Sequence, residues 1–117
     1  MKTEIKQILN RLGISPKYKG YYPVIDAIEV FVNRYGERVN LSQELYPVFA
    51  KKYNTTNYSI ECSIRTIARK AYRYNKEYLE EMMDKELNNY PSNYMVIEAI
   101  AFEVWGIKIK NVLSFQN

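Results

Sequence analysis

The stretch from Leu45 to Tyr72 constrains the fold more than any other part of the chain. In its second half, apolar residues recur four, three and four positions apart, so at about 100° per residue they form one stripe on a helix. The stripe consists of Ile60, Ile64, Ile67 and Ala71. Before it, Asn54 tolerates the left-handed conformation that ends a helix, and Thr56 offers a hydroxyl to the free amides that open the next. The pattern predicts a helix-turn-helix in about residues 45–73.

The opposite face of the second predicted helix is polar and basic. It carries Tyr58, Cys62, Arg65, Thr66, Arg69 and Arg73. A helix that buries its apolar stripe turns these side chains outward. In a DNA-binding helix-turn-helix the outward face enters the major groove, where an arginine can donate two hydrogen bonds to a guanine. A solvated amphipathic helix in an all-helical domain is the alternative interpretation.

Several blocks of the chain resemble a known family. They are Leu12-Gly13-Ile14, Lys19-Gly20-Tyr21, Asp26-Ala27-Ile28, Leu45-Tyr46-Pro47, the run Ala50 to Thr56, Glu61 and Ile64-Arg65. In order and spacing they are similar to the C-terminal effector domain of the sporulation master response regulator, stage zero sporulation protein A. The resemblance covers about Ile5 to Arg73. It implies a six-helix DNA-binding domain of a transcription factor, which recognises a short promoter box, usually as paired copies.

The resemblance also implies roles for single residues. Glu61 and Arg65 match the family and are expected to contact bases. The family carries arginines at the positions of Ser59 and Cys62 and a histidine at that of Thr66, so contacts of about 1–3 kcal/mol each are lost here. Replacement contacts from Tyr58 and Arg69 would change the preferred DNA sequence without abolishing binding. We expect the base-reading set to be Glu61, Arg65, Tyr58, Ser59, Cys62, Thr66 and Arg69.

Residues around this set are candidates for phosphate contacts. They are Lys51, Lys52, Thr56, Arg73, Lys17 and Lys19. The amides and dipole of the helix that starts at Thr56 are expected to assist. Lys17 and Lys19 fall in a predicted loop, where basic residues commonly position a protein on DNA without reading its sequence. Ordinary solvated lysines are the alternative at these two positions.

Histidine is absent, and Cys62 is the single cysteine. These counts exclude a disulfide within the chain, Ser-His-Asp and Cys-His catalytic arrangements, and nearly every zinc site. We therefore predict no enzymatic activity and no cofactor. Cys62 is expected to be a small contact residue on the DNA-facing surface, and a redox-sensitive thiol is the alternative.

Length and charge agree with a single-domain, DNA-binding protein. The 117 residues fit one domain, and 17 Lys and Arg against 13 Asp and Glu give a net charge of +4, a modest excess that favours contact with nucleic acid. No apolar run reaches the roughly 18 residues of a membrane span, and the first residues lack the apolar core of a signal peptide. We expect a cytoplasmic protein without membrane contact.

Helical spacing along the chain predicts an all-α, compact bundle of about six helices. Gly13 is expected to end the first helix, and Ser42 is a candidate cap for a short segment over residues 43–46. Pro47 either begins the main turn of the first motif helix or kinks it, and the resemblance implies the first, because the family has a proline at this place. Further along, Asn75 can cap a fifth helix whose outer face is acidic. Ser92 or Asn93 can open a sixth helix, which we expect to close at Gly106.

The last residues, 107–117, alternate apolar and polar side chains at first, which is the period of a strand. We predict a helix-turn-helix effector domain over residues 1–106, followed by a tail over residues 107–117. An extended arm that docks on the body or on a second subunit is one interpretation of the tail. A frayed terminus is the other.

These observations predict a sequence-specific, double-stranded DNA-binding transcriptional regulator of the sporulation-regulator type. The second motif helix would read a promoter box in the major groove. A second copy on tandem sites is an expected partner, and RNA polymerase or another regulator is a candidate partner. The alternative is a protein-interaction module or antagonist that keeps the fold and has lost specific DNA binding. The missing arginines, the acidic fifth helix and the apolar tail favour that alternative, whereas Arg65, Arg69 and Arg73 on one face count against it.

Overall fold

The computed structural model describes residues 1–116, with all their side chains except those of residues 108, 110–112 and 114–116. Over these residues the chain forms six α-helices and one turn of π-helix, and it forms no β-strand. The elements are α1 (Lys2–Arg11), α2 (Tyr21–Asn33), the π-helical turn (Leu41–Leu45), α3 (Tyr46–Lys52), α4 (Asn57–Tyr74), α5 (Lys76–Met83) and α6 (Asn93–Gln116). The prediction of an all-α bundle is confirmed.

One apolar core joins the helices. Five of them contribute side chains that are almost completely buried, among them Leu9 of α1, Ile28 of α2, Ile64 of α4, Leu79 of α5 and Ile97 of α6. The most extensive helix pairing is that of α2 with α6, and α4 packs against α2, α3, α5 and α6. The core therefore holds the inner stripe of α4 and leaves its outer side free. None of the helices among residues 1–116 combines the length and apolar character that crossing a membrane requires.

The turn between α3 and α4 follows the predicted capping chemistry. Asn54 has a φ of 53°, and the Asn54 and Thr55 amides donate to the carbonyls of Lys51 and Ala50 at 3.3 Å and 2.8 Å. These two bonds close the helix in a Schellman motif. Thr56 Oγ1 then accepts a 3.0 Å hydrogen bond from the Ser59 amide. Both ends of the turn are thus closed by local hydrogen bonds.

The segment before α3 differs from the prediction at its cap. Asn40, and not Ser42, begins the π-helical turn, because Asn40 Oδ1 accepts a 3.1 Å hydrogen bond from the Gln43 amide. In turn, Glu44 Oε2 accepts a 2.7 Å hydrogen bond from the Asn40 amide. Two reciprocal hydrogen bonds satisfy two free amides at once, whereas Ser42 lies inside the turn. Pro47 occupies the first turn of α3, as predicted.

Other helix ends agree with the capping residues in the sequence. Gly13 follows α1 with a φ of 78°. Asn75 Oδ1 accepts a 3.2 Å hydrogen bond from the Tyr78 amide at the start of α5. Of the two candidates for α6, Ser92 is the residue that accepts, at 3.2 Å from the Met95 amide.

The prediction that the sixth helix closes at Gly106 was wrong, because α6 continues to Gln116. The extended arm is therefore replaced by helix up to residue 116, and Asn117 lies outside the described residues. Extending an existing helix adds one hydrogen bond per residue fixed, without the cost of a new nucleus. A single glycine costs only about 1 kcal/mol inside a helix, which is too little to end it.

Candidate nucleic-acid interface

The outward face of α4 lies opposite its buried stripe. Ile60, Ile64, Ile67 and Ala71 are buried, as the spacing predicts. The exposed side chains on the other side are Tyr58, Arg65, Thr66, Arg69 and Arg73. Three half-buried residues share that side, namely Ser59, Glu61 and Cys62. At about 100° per residue, the whole predicted base-reading set falls on one side of one helix.

Arg65 and Glu61 form an ion pair one helical turn apart, in which Arg65 Nη2 donates to Glu61 Oε1. Their side chains stay partly exposed, at 44% for Arg65 and 40% for Glu61. The backbone carbonyl of Glu61 also accepts a 3.1 Å hydrogen bond from Asn93 Nδ2, which lies 3.1 Å from the Tyr46 hydroxyl as well. Glu61 therefore orients Arg65, while α6 and α3 hold this part of α4 in place.

Hydrogen bonds within α4 occupy small polar side chains near this face. Thr66 Oγ1 donates to the Cys62 carbonyl at 3.0 Å, and Ser63 Oγ donates to the Ser59 carbonyl at 2.7 Å. The neighbouring Cys62 thiol raises the pKa of Tyr58 above its ordinary value. The Thr66 hydroxyl proton is engaged within the helix. The Tyr58 ring and the arginines therefore dominate the exposed surface.

A groove of about 350 Å³ lies between this face and the loop that joins α1 to α2. Its lining consists of Tyr18, Lys19, Gly20, Tyr58, Ser59, Cys62, Ser63 and Thr66. The loop reaches α4 because Gly20 has no side chain: a Cβ there would lie 2.6 Å from the Ser63 carbonyl oxygen. Lys19 is thereby brought beside the predicted base-reading residues. Lys17 is exposed outside this groove, with its ammonium 5.7 Å from the centre of the Tyr18 ring.

Lys52 lies in a different environment from the α4 face. Its ammonium is 2.8 Å from Asp26 Oδ2 on α2, and the same oxygen accepts from the Tyr53 hydroxyl. The hydrogen bond to Asp26 raises the pKa of Lys52, and burial followed by the same carboxylate raises the pKa of Tyr53 to about 12. Lys52 shares a groove with Lys2 and the first residues of α2, whereas Lys51 is exposed. Their phosphate contacts stay predictions.

The structure adds two residues that lie outside the predicted set of site residues. Arg38 lines a groove of about 400 Å³ beside Arg65, together with residues from the π-helical turn and the start of α6. Tyr90, in the loop between α5 and α6, contacts Arg69 and Arg73. Arg38 carried a weak signal as a basic residue just before the motif. Tyr90 was one of twelve tyrosines in the chain, and periodicity says nothing about where a loop residue lies.

The fold and this surface define a class, an all-α domain with a basic helix face that suits a negatively charged partner. A family model described as "Sporulation initiation factor Spo0A C terminal" matches residues 5–104. The chain belongs to this family, which is one of DNA-binding effector domains and not of enzymes. The resemblance in the sequence is thereby confirmed, and the match extends it from residue 73 into α6.

Proposed function

We propose that the chain is a sequence-specific, double-stranded DNA-binding transcriptional regulator that reads a promoter box with α4 in the major groove. The observation that carries the proposal is the outward face of α4, on which Glu61 orients a half-exposed Arg65 opposite a fully buried stripe. A guanidinium held in this way can donate two hydrogen bonds to a guanine without first losing much rotational freedom.

In this proposal the residues around Arg65 divide into two groups. Glu61, Tyr58, Ser59, Cys62 and Thr66 line the groove-facing surface with Arg65. Lys19 is the phosphate contact best placed to assist, since it lies across the loop groove from Tyr58. Two copies on tandem half-sites would lie side by side on DNA, which makes a second copy of the chain the expected partner there.

The test is fluorescence anisotropy with two labelled duplexes at several salt concentrations. One duplex carries two copies of the family's promoter box, and the other carries the same bases scrambled. Specific binding is expected to be tighter by at least about a thousandfold. Equal and strongly salt-dependent binding to both duplexes would mean that α4 reads another sequence, to be found by random-site selection.

Arg65→Ala is expected to remove one base contact, which is worth about 1–3 kcal/mol of discrimination. The preference for the promoter box should therefore fall about 5–150-fold, while stability changes by no more than about 0.5 kcal/mol. Lys85→Ala is the matched control, because it removes one exposed positive charge in a groove formed with α5 and α6 residues. If both variants weaken binding to both duplexes equally, Arg65 acts only as a charge.

A protein-interaction module is the second candidate function. It is favoured by an aromatic cluster at the end of α2 and on α6, where the Tyr35 and Trp105 rings stack at 4.0 Å and Tyr35 and Phe102 are 45% and 46% exposed. RNA polymerase or another regulator would be the partner. Absence of binding to either duplex at low salt would favour this function over DNA reading.

A further inference from the structure

The loop between α5 and α6 brings Tyr90 onto the C-terminal part of the α4 face. The centre of the Tyr90 ring lies 5.1 Å from the guanidinium carbon of Arg69. Arg73 Nη1 donates a 3.4 Å hydrogen bond to the Tyr90 hydroxyl. The Tyr72 ring packs against Tyr90 with 5.0 Å between centroids, which anchors it from α4 itself. One side chain thus organises two arginines from successive helical turns.

Tyr90 binds these arginines without neutralising them. A carboxylate partner, such as Glu61 beside Arg65, cancels much of the positive charge that a phosphate would meet. No ion pair among the side chains that the structure describes includes Arg69 or Arg73. The Tyr90 ring attracts a guanidinium through its quadrupole, and the hydroxyl oxygen accepts a hydrogen bond. Both arginines therefore keep their full charge while their positions are held.

The spacing of the two arginines suits a nucleic-acid backbone. Four residues of α-helix rise by about 6 Å. Because each guanidinium stands at the end of a long side chain, two of them one turn apart can reach neighbouring phosphates of one strand. The Tyr90 hydroxyl accepts from Arg73 and keeps its own proton, which it can donate to an anionic oxygen.

We propose that Tyr90 positions Arg69 and Arg73 as a phosphate clamp, in which both guanidinium groups and the Tyr90 hydroxyl bind the backbone of one DNA strand. The clamp lies beyond Arg65, towards the C-terminal end of α4. It rests on the proposed function, because it requires this face of α4 to meet DNA. It assigns Arg69 to the backbone, where the sequence alone predicted a base contact.

Two variants of Tyr90 separate its ring from its hydroxyl. Tyr90→Phe keeps the ring contact with Arg69 and removes the acceptor of Arg73, whereas Tyr90→Ala removes both. Anisotropy on the scrambled duplex measures the clamp, because backbone contacts carry no sequence information. Tyr90→Ala should weaken binding about 3–30-fold and reduce the magnitude of the negative slope of log K against log salt by about 1. Tyr90→Phe should weaken binding about 2–5-fold. Tyr22 is an exposed tyrosine in another groove, so Tyr22→Ala should change neither the affinity nor the salt slope.

The clamp has outcomes that would overturn it. If Tyr90→Ala leaves affinity and salt slope unchanged, the contacts have no role in binding. If Tyr90→Ala weakens binding as much in an Arg69→Ala, Arg73→Ala background as in the natural chain, Tyr90 does not act through the arginines. A merely structural role would lower the Tm of Tyr90→Ala and leave its salt slope intact. The proposed function is tested separately, by the preference between the two duplexes. The clamp and the sequence-specific reading can therefore fail independently of each other.

Discussion

The helices α4 and α6 use their apolar residues in different ways. Over 18 residues α4 buries one stripe, centred on Ile64, and keeps the rest of its surface polar and basic. Over 24 residues α6 buries Ile97 and also carries Phe102 and Trp105 near its surface, next to Tyr35. An apolar stripe shows which side of a helix faces the core. It shows which side is free to meet a partner only when the remaining side chains are polar.

The largest effects are expected where the two helices are alike, in their buried stripes. Ile64 and Ile97 are 1% and 0% exposed. Replacing either by alanine leaves a cavity and should lower the free energy of unfolding by about 2–5 kcal/mol, measured by urea denaturation. Val48→Ala, on an exposed side of α3, should cost less than about 0.5 kcal/mol. A small loss at Ile64 beside a large one at Ile97 would mean that α4 is docked loosely on a core built by α6.

Glycine substitutions come next in size and affect the two helices in opposite directions. A Cβ at Gly20 would meet the backbone of Ser63, which a side-chain rotation cannot relieve. Gly20→Ala should therefore destabilise the fold by about 1–3 kcal/mol and move Lys19 away from the α4 face. Denaturation and anisotropy on the scrambled duplex measure the two effects. Unchanged values in both would show that the loop does not rest on α4.

Gly106→Ala is the matched substitution in α6, where a Cβ would meet nothing within 4 Å. Because α6 continues through Gly106, alanine should stabilise the chain by about 0.5–1 kcal/mol through its better helix propensity. Thermal unfolding followed by circular dichroism measures the change. A loss of stability would instead support a helix end at Gly106, as the sequence suggested.

The smallest expected effect concerns pH, and it tests a polar contact between Tyr53, at the end of α3, and Asp26 of α2. The pKa of Tyr53 is raised from 10.0 to about 12, so the folded state keeps a proton that the unfolded state loses first. The contribution of Tyr53 to stability is therefore present below about pH 10 and is lost as the pH rises towards 12. Comparing Tm between pH 8 and 11.5 should show a flatter decline for Tyr53→Phe; parallel declines would contradict the assignment.

Much of α4 was predictable from the sequence, since its determinants are local. The stripe from Ile60 to Ala71, the Thr56 cap and the left-handed Asn54 each depend on residues within about one helical turn. The outward position of Arg65 follows from the same periodicity. The end of α6 was missed because the alternation after Gly106 is too short to outweigh the extension of an existing helix.

Residue spacing and side-chain chemistry along the chain were enough to predict the all-α class, the motif helices and their caps, the outward face of α4 and the family. The tertiary structure alone decided that Lys52 pairs with Asp26, that Gly20 seats a loop against Ser63, and that Tyr90 lies between Arg69 and Arg73. Each of these contacts joins residues that are far apart in the sequence. Their geometry depends on how the helices pack, which the period of a single helix does not encode.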